Sequence, residues 1–182
     1  MLYLIDKSSS RFTVRAFATG MLSSFGHSPT FAIRNFEGEI QFSPEDLSTA
    51  SLRVMARADS LEVMDDIKSK DRQEMESTMN QSVLESAKFP EIAYATMSAS
   101  VTTLGEGRYQ ANLNGNLSLH GVTRPTAIPA QVTLMNDLLR AGGEFSLLQT
   151  NFGIALVSVA GGTLKLKDEL KVVFDIVARQ QD

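Results

Sequence analysis

The sequence of 182 residues contains no cysteine and no long run of lysine and arginine, and its formal net charge is -4. Without cysteine, disulfide bonds, thiolate nucleophiles and cysteine-based zinc sites are excluded. An anionic chain gains nothing from counterion release on nucleic acid or on an acidic membrane, so neither partner is expected.

The sequence predicts neither a membrane segment nor an export signal. No apolar run approaches the roughly 18 residues of a membrane helix, so we expect no integral membrane segment. Residues 1–6 lack a basic segment followed by an apolar stretch and a cleavage site. For the chain as it stands we expect a soluble, cytoplasmic protein; a periplasmic location is expected if a signal peptide has been removed. The ordinary composition, 43% hydrophobic and 21% charged, predicts a single domain over residues 1–182.

The dominant pattern is an alternation of apolar and polar residues. It is clearest in 109–120, where the odd positions are apolar or glycine and the even positions are Gln, Asn, Ser or His. Successive side chains of a strand face opposite sides, so this segment predicts a strand with one apolar face. The same period recurs in 12–18, 51–58, 139–147 and 171–179, and more weakly in 30–43, 91–103 and 126–135.

Turns and one helix complete the predicted topology. Short connections at 105–107 and 136–137 make their flanking strands antiparallel neighbours. The phase slips within 30–43, which predicts a bulge near Arg34 and Asn35. Residues 65–80 contain no Gly or Pro and are mostly polar, with Met75, Met79 and Val83 near one stripe. They predict a helix between the third and fourth of eight strands.

Small residues on the inward faces favour a closed, hollow barrel over a sandwich. An eight-stranded barrel is either just filled by side chains or holds one small ligand. Strands of about ten residues, rising ~3.3 Å each, would enclose a tunnel of roughly 30 Å. The alternative is that the small residues make room for phenylalanines of facing strands. The small inward residues are Ala16, Ala56, Ala58, Ala111, Gly115, Ala141 and Gly143.

Four groups of residues occur together, in one order, along nearly the whole chain. They are Tyr3–Asp6 with Ser10–Val14, Phe36–Phe42 with Pro44–Leu47, Phe89–Ile92, and the Gly-Asn-Leu-Ser-Leu-His-Gly-Val-Thr-Arg run Gly115–Arg124. This set resembles the bacterial YceI-like family of polyisoprenoid-binding, lipocalin-like proteins. The stretch Gly20–His27 differs from the commoner family pattern.

The resemblance implies a mainly β protein: an eight-stranded antiparallel, lipocalin-like barrel with a helix as its cap. It also implies a long-chain amphiphilic lipid in the interior, held for transport, storage or sequestration, without established catalysis. That lipid would be a polyisoprenoid, an isoprenoid quinone or a fatty-acid derivative, and it could co-purify. No other cofactor is implied. Some family members are exported, and some form homodimers.

The expected lipid contacts are inward-facing residues, and removing their apolar surface from water gains about 25 cal/mol per Å². Each could instead be ordinary core. Tyr94 differs, because its hydroxyl could orient a polar headgroup. The candidates are Phe12, Val14, Phe31, Ile33, Ile40, Phe42, Val54, Tyr94, Leu113, Leu117, Leu119, Phe145, Phe174 and Ile176.

Three further residues are candidates for a barrel mouth or a headgroup site. His27 and His120 are the only histidines, and as a pair they would support a second hypothesis, a redox-related protein holding haem or a metal. His120 could instead bond backbone at its turn. Arg124 could bind a phosphate or quinone oxygen, or form an ion pair with Asp6 or Asp59.

A third hypothesis, a hydrolase acting on an amphiphilic substrate, would need a polar group with a perturbed pKa inside the barrel. The inward positions offer almost none, so we expect no catalytic residues, no metal site and no enzyme activity.

Overall fold

The computed structural model describes residues 1–19, 28–159 and 164–181. Within these ranges the chain forms one antiparallel sheet that closes on itself. Its strands are β1 (Leu2–Ile5), β2 (Arg11–Thr19), β3 (Thr30–Ile33), β4 (Phe36–Gln41), β5 (Ser51–Arg57), β6 (Leu61–Val63), β7 (Glu91–Gly105), β8 (Arg108–Leu119), β9 (Val122–Met135), β10 (Leu138–Leu148), β11 (Ser158–Val159) and β12 (Leu164–Gln180). Helix α1 (Ser69–Thr78) runs into a π-helical turn, Met79–Val83, and 3₁₀ turns occupy Leu47–Thr49, Ala58–Ser60 and Gln149–Phe152.

Six short strands combine into three long ones, because β1 continues as β2, β3 as β4, and β5 as β6. Arg34 and Asn35 form the break between β3 and β4, where the sequence predicts a bulge. Their backbone N–H groups donate to the carbonyl and the hydroxyl of Ser60, each at 3.0 Å, so this break is bonded to the one between β5 and β6. Counted this way, the described residues make eight long strands, with β11 as a short addition to β12.

The barrel closes where the last strand meets the first. β12 pairs with β1 at Ile5 and Ala178, and with β2 at Phe12 and Phe174. All pairings are antiparallel, and each of the eight long strands pairs with the long strands before and after it, the last with the first, so the wall is an up-and-down barrel. The predicted eight-stranded antiparallel barrel is therefore confirmed, as is the helix between the third and fourth long strands.

The barrel has two distinct ends. We call the end that carries the connections after β4, β7 and β9 the closed end, and the end that carries residues 64–90 and 149–157 the helix end. At the closed end Tyr3 and Leu139 are 0% exposed. The rings of Phe42 and Tyr109 meet edge to face with centroids 4.9 Å apart. Among the helices in the described ranges, none has the length and apolar character needed to cross a membrane.

Candidate functional site

The helix end of the barrel is hollow. It encloses a cavity of about 450 Å³, which we call the helix-end cavity. Most of its walls are apolar side chains from the barrel strands, and α1 contributes Met75 and Thr78. A cavity of this size lies in the range of small-molecule sites, which run from about 300 to 1,000 Å³.

All but three of the predicted lipid-contacting residues line the helix-end cavity. The three exceptions, Ile40, Phe42 and Leu113, also face the barrel interior, but they border a separate space of about 30 Å³ nearer the closed end, the lower void. The residues that line the helix-end cavity are Phe12, Val14, Phe31, Ile33, Val54, Tyr94, Leu117, Leu119, Phe145, Phe174 and Ile176.

Several lining residues were not predicted. Besides strand residues such as Leu52 and Ile128, they form two groups without strand periodicity: the π-helical turn with the residue after it, and the connection that follows β10. The stripe of Met75, Met79 and Val83 was the only signal for the first group. For the second group the sequence offers none that we recognise. The missed residues include Leu84, Gln149, Ile154 and Val157.

The expected tunnel along the whole barrel is wrong. The helix-end cavity stops at three side chains, Leu52, Phe174 and Ile176, which also border the lower void. Below them Tyr3, Tyr109 and their neighbours fill the cross-section. Large aromatic residues from several strands therefore occupy the space that a tunnel of the full strand length would need.

The small inward residues have both of the roles that the sequence allowed, since some leave cavity space and others make room for aromatic rings. Ala16 and Ala56 line the helix-end cavity and so leave space. Gly115 and Gly143 instead make room for aromatic rings. A Cβ atom on Gly115 would lie 2.7 Å from the Tyr94 hydroxyl, and one on Gly143 would lie 2.8 Å from Cζ of Phe174.

Tyr94 cannot donate to a headgroup as the sequence suggested. Its hydroxyl lies 3.1 Å from the carbonyl oxygen of Leu113 and 3.3 Å from that of Thr126. A phenol has one proton to donate, so these two acceptors on β8 and β9 use it. Burial raises the pKa of Tyr94, which keeps the phenol protonated in this role.

His120 joins three segments at the helix end. Its Nε2 lies 2.9 Å from Oε2 of Glu85, and its Nδ1 lies 3.2 Å from the carbonyl oxygen of Phe152. Both ring nitrogens therefore face oxygen atoms of the protein, one from a side chain and one from the backbone. Phe89 packs on the ring with centroids 4.4 Å apart, and the side chain is 10% exposed.

This arrangement is structural, as the alternative interpretation of His120 predicted, although the bonded carbonyl comes from a distant turn instead of the local backbone. Each nitrogen of His120 lies within hydrogen-bond distance of a protein oxygen atom. His27 lies outside the described residues. In the described ranges we find no group of three or more His, Asp or Glu side chains placed to hold a metal ion.

Arg124 is exposed, and its Nε donates to the backbone oxygen of Asn151 at 3.0 Å. This bond ties β9 to the 3₁₀ turn at the helix end. The ion pair expected with Asp6 or Asp59 is wrong, because each carboxylate is bonded by another arginine. Those arginines are Arg179, at 3.3 Å from Asp6, and Arg57, at 3.1 Å from Asp59.

Polar side chains of the cavity lining cluster at its rim. α1 contributes Asp71 and Glu74, and β12 contributes Lys165, all three exposed. Gln149 is only 3% exposed, and its amide donates to the backbone oxygen of Lys167 at 2.9 Å. The site thus combines an apolar interior with a charged, wet rim.

Helix α1 is held at the rim mainly by hydrogen bonds. One edge of β6 pairs with β3, and the other edge faces α1. There the Val63 N–H donates to Oε1 of Glu76 at 2.9 Å, while Arg72 donates to the carbonyl oxygens of Val63 and Asp65. No residue of α1 itself is buried. The side chains of Glu76 and Arg72 therefore bond the edge of β6 where a neighbouring strand would otherwise pair.

An antiparallel barrel with a filled end and an apolar cavity beneath a helix defines the class of lipocalin-like proteins. The family model for the YceI-like domain matches residues 3–178. The chain therefore belongs to the YceI-like family.

Solved structures show the same fold. BcnA of Burkholderia cenocepacia is similar at 14% identity and a TM-score of 0.74, over 95% of this chain and 98% of that one. A polyisoprenoid binding domain from Saccharophagus degradans, implicated in plant cell wall breakdown, matches at 11% identity and a TM-score of 0.66, over 98% of both chains. The YceI protein of Campylobacter jejuni matches at 11% identity and a TM-score of 0.63, over 84% of this chain and 85% of its own. No curated protein sequence matches the chain.

Proposed function

We propose that the protein binds the apolar chain of an amphiphilic lipid in the helix-end cavity. A polyisoprenoid, an isoprenoid quinone or a fatty-acid derivative has the required chemistry. The observation that carries the proposal is the cavity itself: about 450 Å³ of space, walled by apolar side chains and rimmed by polar ones. Similarity to a structure described as a polyisoprenoid binding domain supports the isoprenoid class.

The energetics favour a chain over a compact polar ligand. Each methylene moved from water into an apolar site gains about 0.8 kcal/mol. Roughly ten such groups would gain about 8 kcal/mol before the cost of association, which consumes several kcal/mol. A polar headgroup would lose its hydration in the interior, so it stays at the rim beside Asp71, Glu74 and Lys165.

We propose transport, storage or sequestration as the role, in place of catalysis. The ionisable side chains of the described lining are the rim residues and Tyr94. The raised pKa of Tyr94 keeps its phenol neutral and bonded to backbone, so it is poorly suited to proton transfer.

The first experiment is native mass spectrometry of protein purified without detergent, followed by organic extraction. We expect an additional mass that matches a long-chain amphiphile in the extract. Farnesol should then bind the delipidated protein, as measured by isothermal titration calorimetry. A wild-type protein that carries no lipid and binds no farnesol would contradict the proposal.

Two neighbouring positions of β5 provide matched variants. Ala56 faces the cavity, whereas Met55 faces outward and is 39% exposed. Ala56→Phe should fill the cavity and weaken farnesol binding at least tenfold, while Met55→Phe should leave it unchanged. Equal binding by both variants would place the site outside the helix-end cavity.

A further inference from the structure

Three side chains separate the helix-end cavity from the lower void. Leu52, Phe174 and Ile176 border both spaces, and we call them the floor. All three are at most 7% exposed. A chain that enters from the helix end therefore meets a packed layer before it reaches the closed end of the barrel.

Phe174 is the largest part of the floor, and its ring is fixed from two sides. It lies over Gly143 of β10, where a Cβ atom would come within 2.8 Å of the ring. On the other side it stacks on Phe12, with centroids 6.3 Å apart and planes at 28°. Phe12 in turn meets Phe36 edge to face at 4.8 Å. Moving the ring aside would break these contacts, so packing holds Phe174 in its position in the floor.

The volume above the floor limits how much of a chain can be buried. A cavity of about 150 Å³ is large enough to bind benzene, a ligand of six carbons. On the same scale a cavity of about 450 Å³ holds roughly fifteen to eighteen carbon-sized groups. Three isoprene units contain about that number of carbons, so any further unit of a longer chain would remain at the rim, in water.

We propose that Phe174, backed by Leu52 and Ile176, sets the length of lipid chain that the protein buries, at about three isoprene units. The inference rests on the proposed function and adds a determinant of chain-length specificity to it. Below the floor the lower void, about 30 Å³, has room for about one more carbon-sized group. Removing the Phe174 ring would join the two spaces and lengthen the site.

The test uses geraniol, farnesol and geranylgeraniol, alcohols that grow by one isoprene unit, titrated into delipidated protein. For the wild type we expect affinity to rise at least tenfold from geraniol to farnesol, because the added unit is buried. From farnesol to geranylgeraniol we expect less than a threefold rise, because the last unit finds no space. In Phe174→Ala the second step should again exceed tenfold.

The chain offers a matched control. Phe42 borders the lower void but not the helix-end cavity, and its ring packs on Tyr109. Phe42→Ala removes the same side chain below the floor, so it should keep the wild-type affinity steps. Leu52→Ala opens the floor from β5 with a smaller loss of core, and it serves if Phe174→Ala fails to fold. For Leu52→Ala the rise in affinity from farnesol to geranylgeraniol should also exceed that of the wild type.

The outcomes separate the two proposals. A wild type that binds none of the alcohols would overturn the proposed function. A wild type that binds them all, with the second step as steep as the first, would leave the lipid site standing and overturn the length limit. A plateau that persists in both Phe174→Ala and Leu52→Ala would show that the floor does not set it.

Discussion

The two ends of the barrel share the same strands but are packed in opposite ways. Along β12, Ala178 lies in a filled cross-section and is 0% exposed, whereas Val172 borders the helix-end cavity. The alternation of apolar and polar residues is the same in both parts. What differs is the size of the side chains that face the inward residues of β12 across the barrel.

At the closed end the rings of Phe42 and Tyr109 pack against each other, and Tyr3 of β1 is fully buried. At the helix end β2 contributes Ala16 and Ala18, and β5 contributes Ala56. A helix that buries none of its own residues covers this space. Alternation that turns apolar residues inward therefore makes a barrel. The volume of those inward side chains decides whether the interior of the barrel is a packed core or a cavity.

The largest expected effect comes from one substitution made at both ends. Leu139→Ala, at a side chain that is 0% exposed, should lower the free energy of unfolding by about 3–4 kcal/mol, because it opens a cavity in packed core. Leu117→Ala, in the cavity wall, should cost roughly 1–2 kcal/mol, because the site already borders empty space. Urea unfolding of the delipidated variants measures both.

Farnesol binding adds a second readout to this pair. Leu117→Ala should weaken it, and Leu139→Ala should leave it unchanged at temperatures where the variant is folded. Equal destabilisation by the two substitutions would mean that the helix end is packed as tightly as the closed end.

A smaller effect is expected from loosening α1. Glu76→Ala removes the carboxylate that accepts the Val63 N–H, at a cost of about 1 kcal/mol. Hydrogen exchange measured by mass spectrometry should become faster in residues 69–83, and farnesol should dissociate faster. Gln73→Ala, at an exposed position of the same helix, is the control and should change neither rate. Unchanged exchange in Glu76→Ala would show that α1 is held by other contacts.

The smallest effect concerns the joint between β1 and β2, where the wall passes from the closed end towards the helix end. Hydrogen bonds, first that from the Ser8 hydroxyl and also those from Ser9 and Arg179, lower the pKa of Asp6 to about 2. Because this pKa lies below that of an unfolded aspartate, about 3.9, the carboxylate stabilises the fold above about pH 4. That contribution is lost as the pH falls towards 2.

The melting temperatures of the wild type and of Asp6→Asn should therefore differ slightly at neutral pH and converge between about pH 4 and pH 2. Melting followed by circular dichroism across this range measures the difference. A gap of constant size would mean that Asp6 contributes by its shape, not by its charge.

The eight strands, an irregularity at Arg34 and Asn35, and the position of the helix were all predictable, because each follows from a period or a turn over a few residues; the irregularity is a break between two strands, not the predicted bulge. The roles of individual side chains were less predictable from the sequence. Tyr94 was correctly placed inside, but its bond to the backbone oxygens of Leu113 and Thr126 depends on Gly115 of the neighbouring strand. The bond between His120 and Glu85 joins residues far apart in the chain.

The sequence by itself determined the barrel, since a strand's two faces are set by its own alternation and the connections order the strands. Only the tertiary structure decided where the barrel is hollow. Phe174 meets Phe12 and Gly143 from two other strands, and whether their combined volume fills the cross-section depends on strand register and barrel closure. Those are properties of the assembled wall, and no single segment carries them.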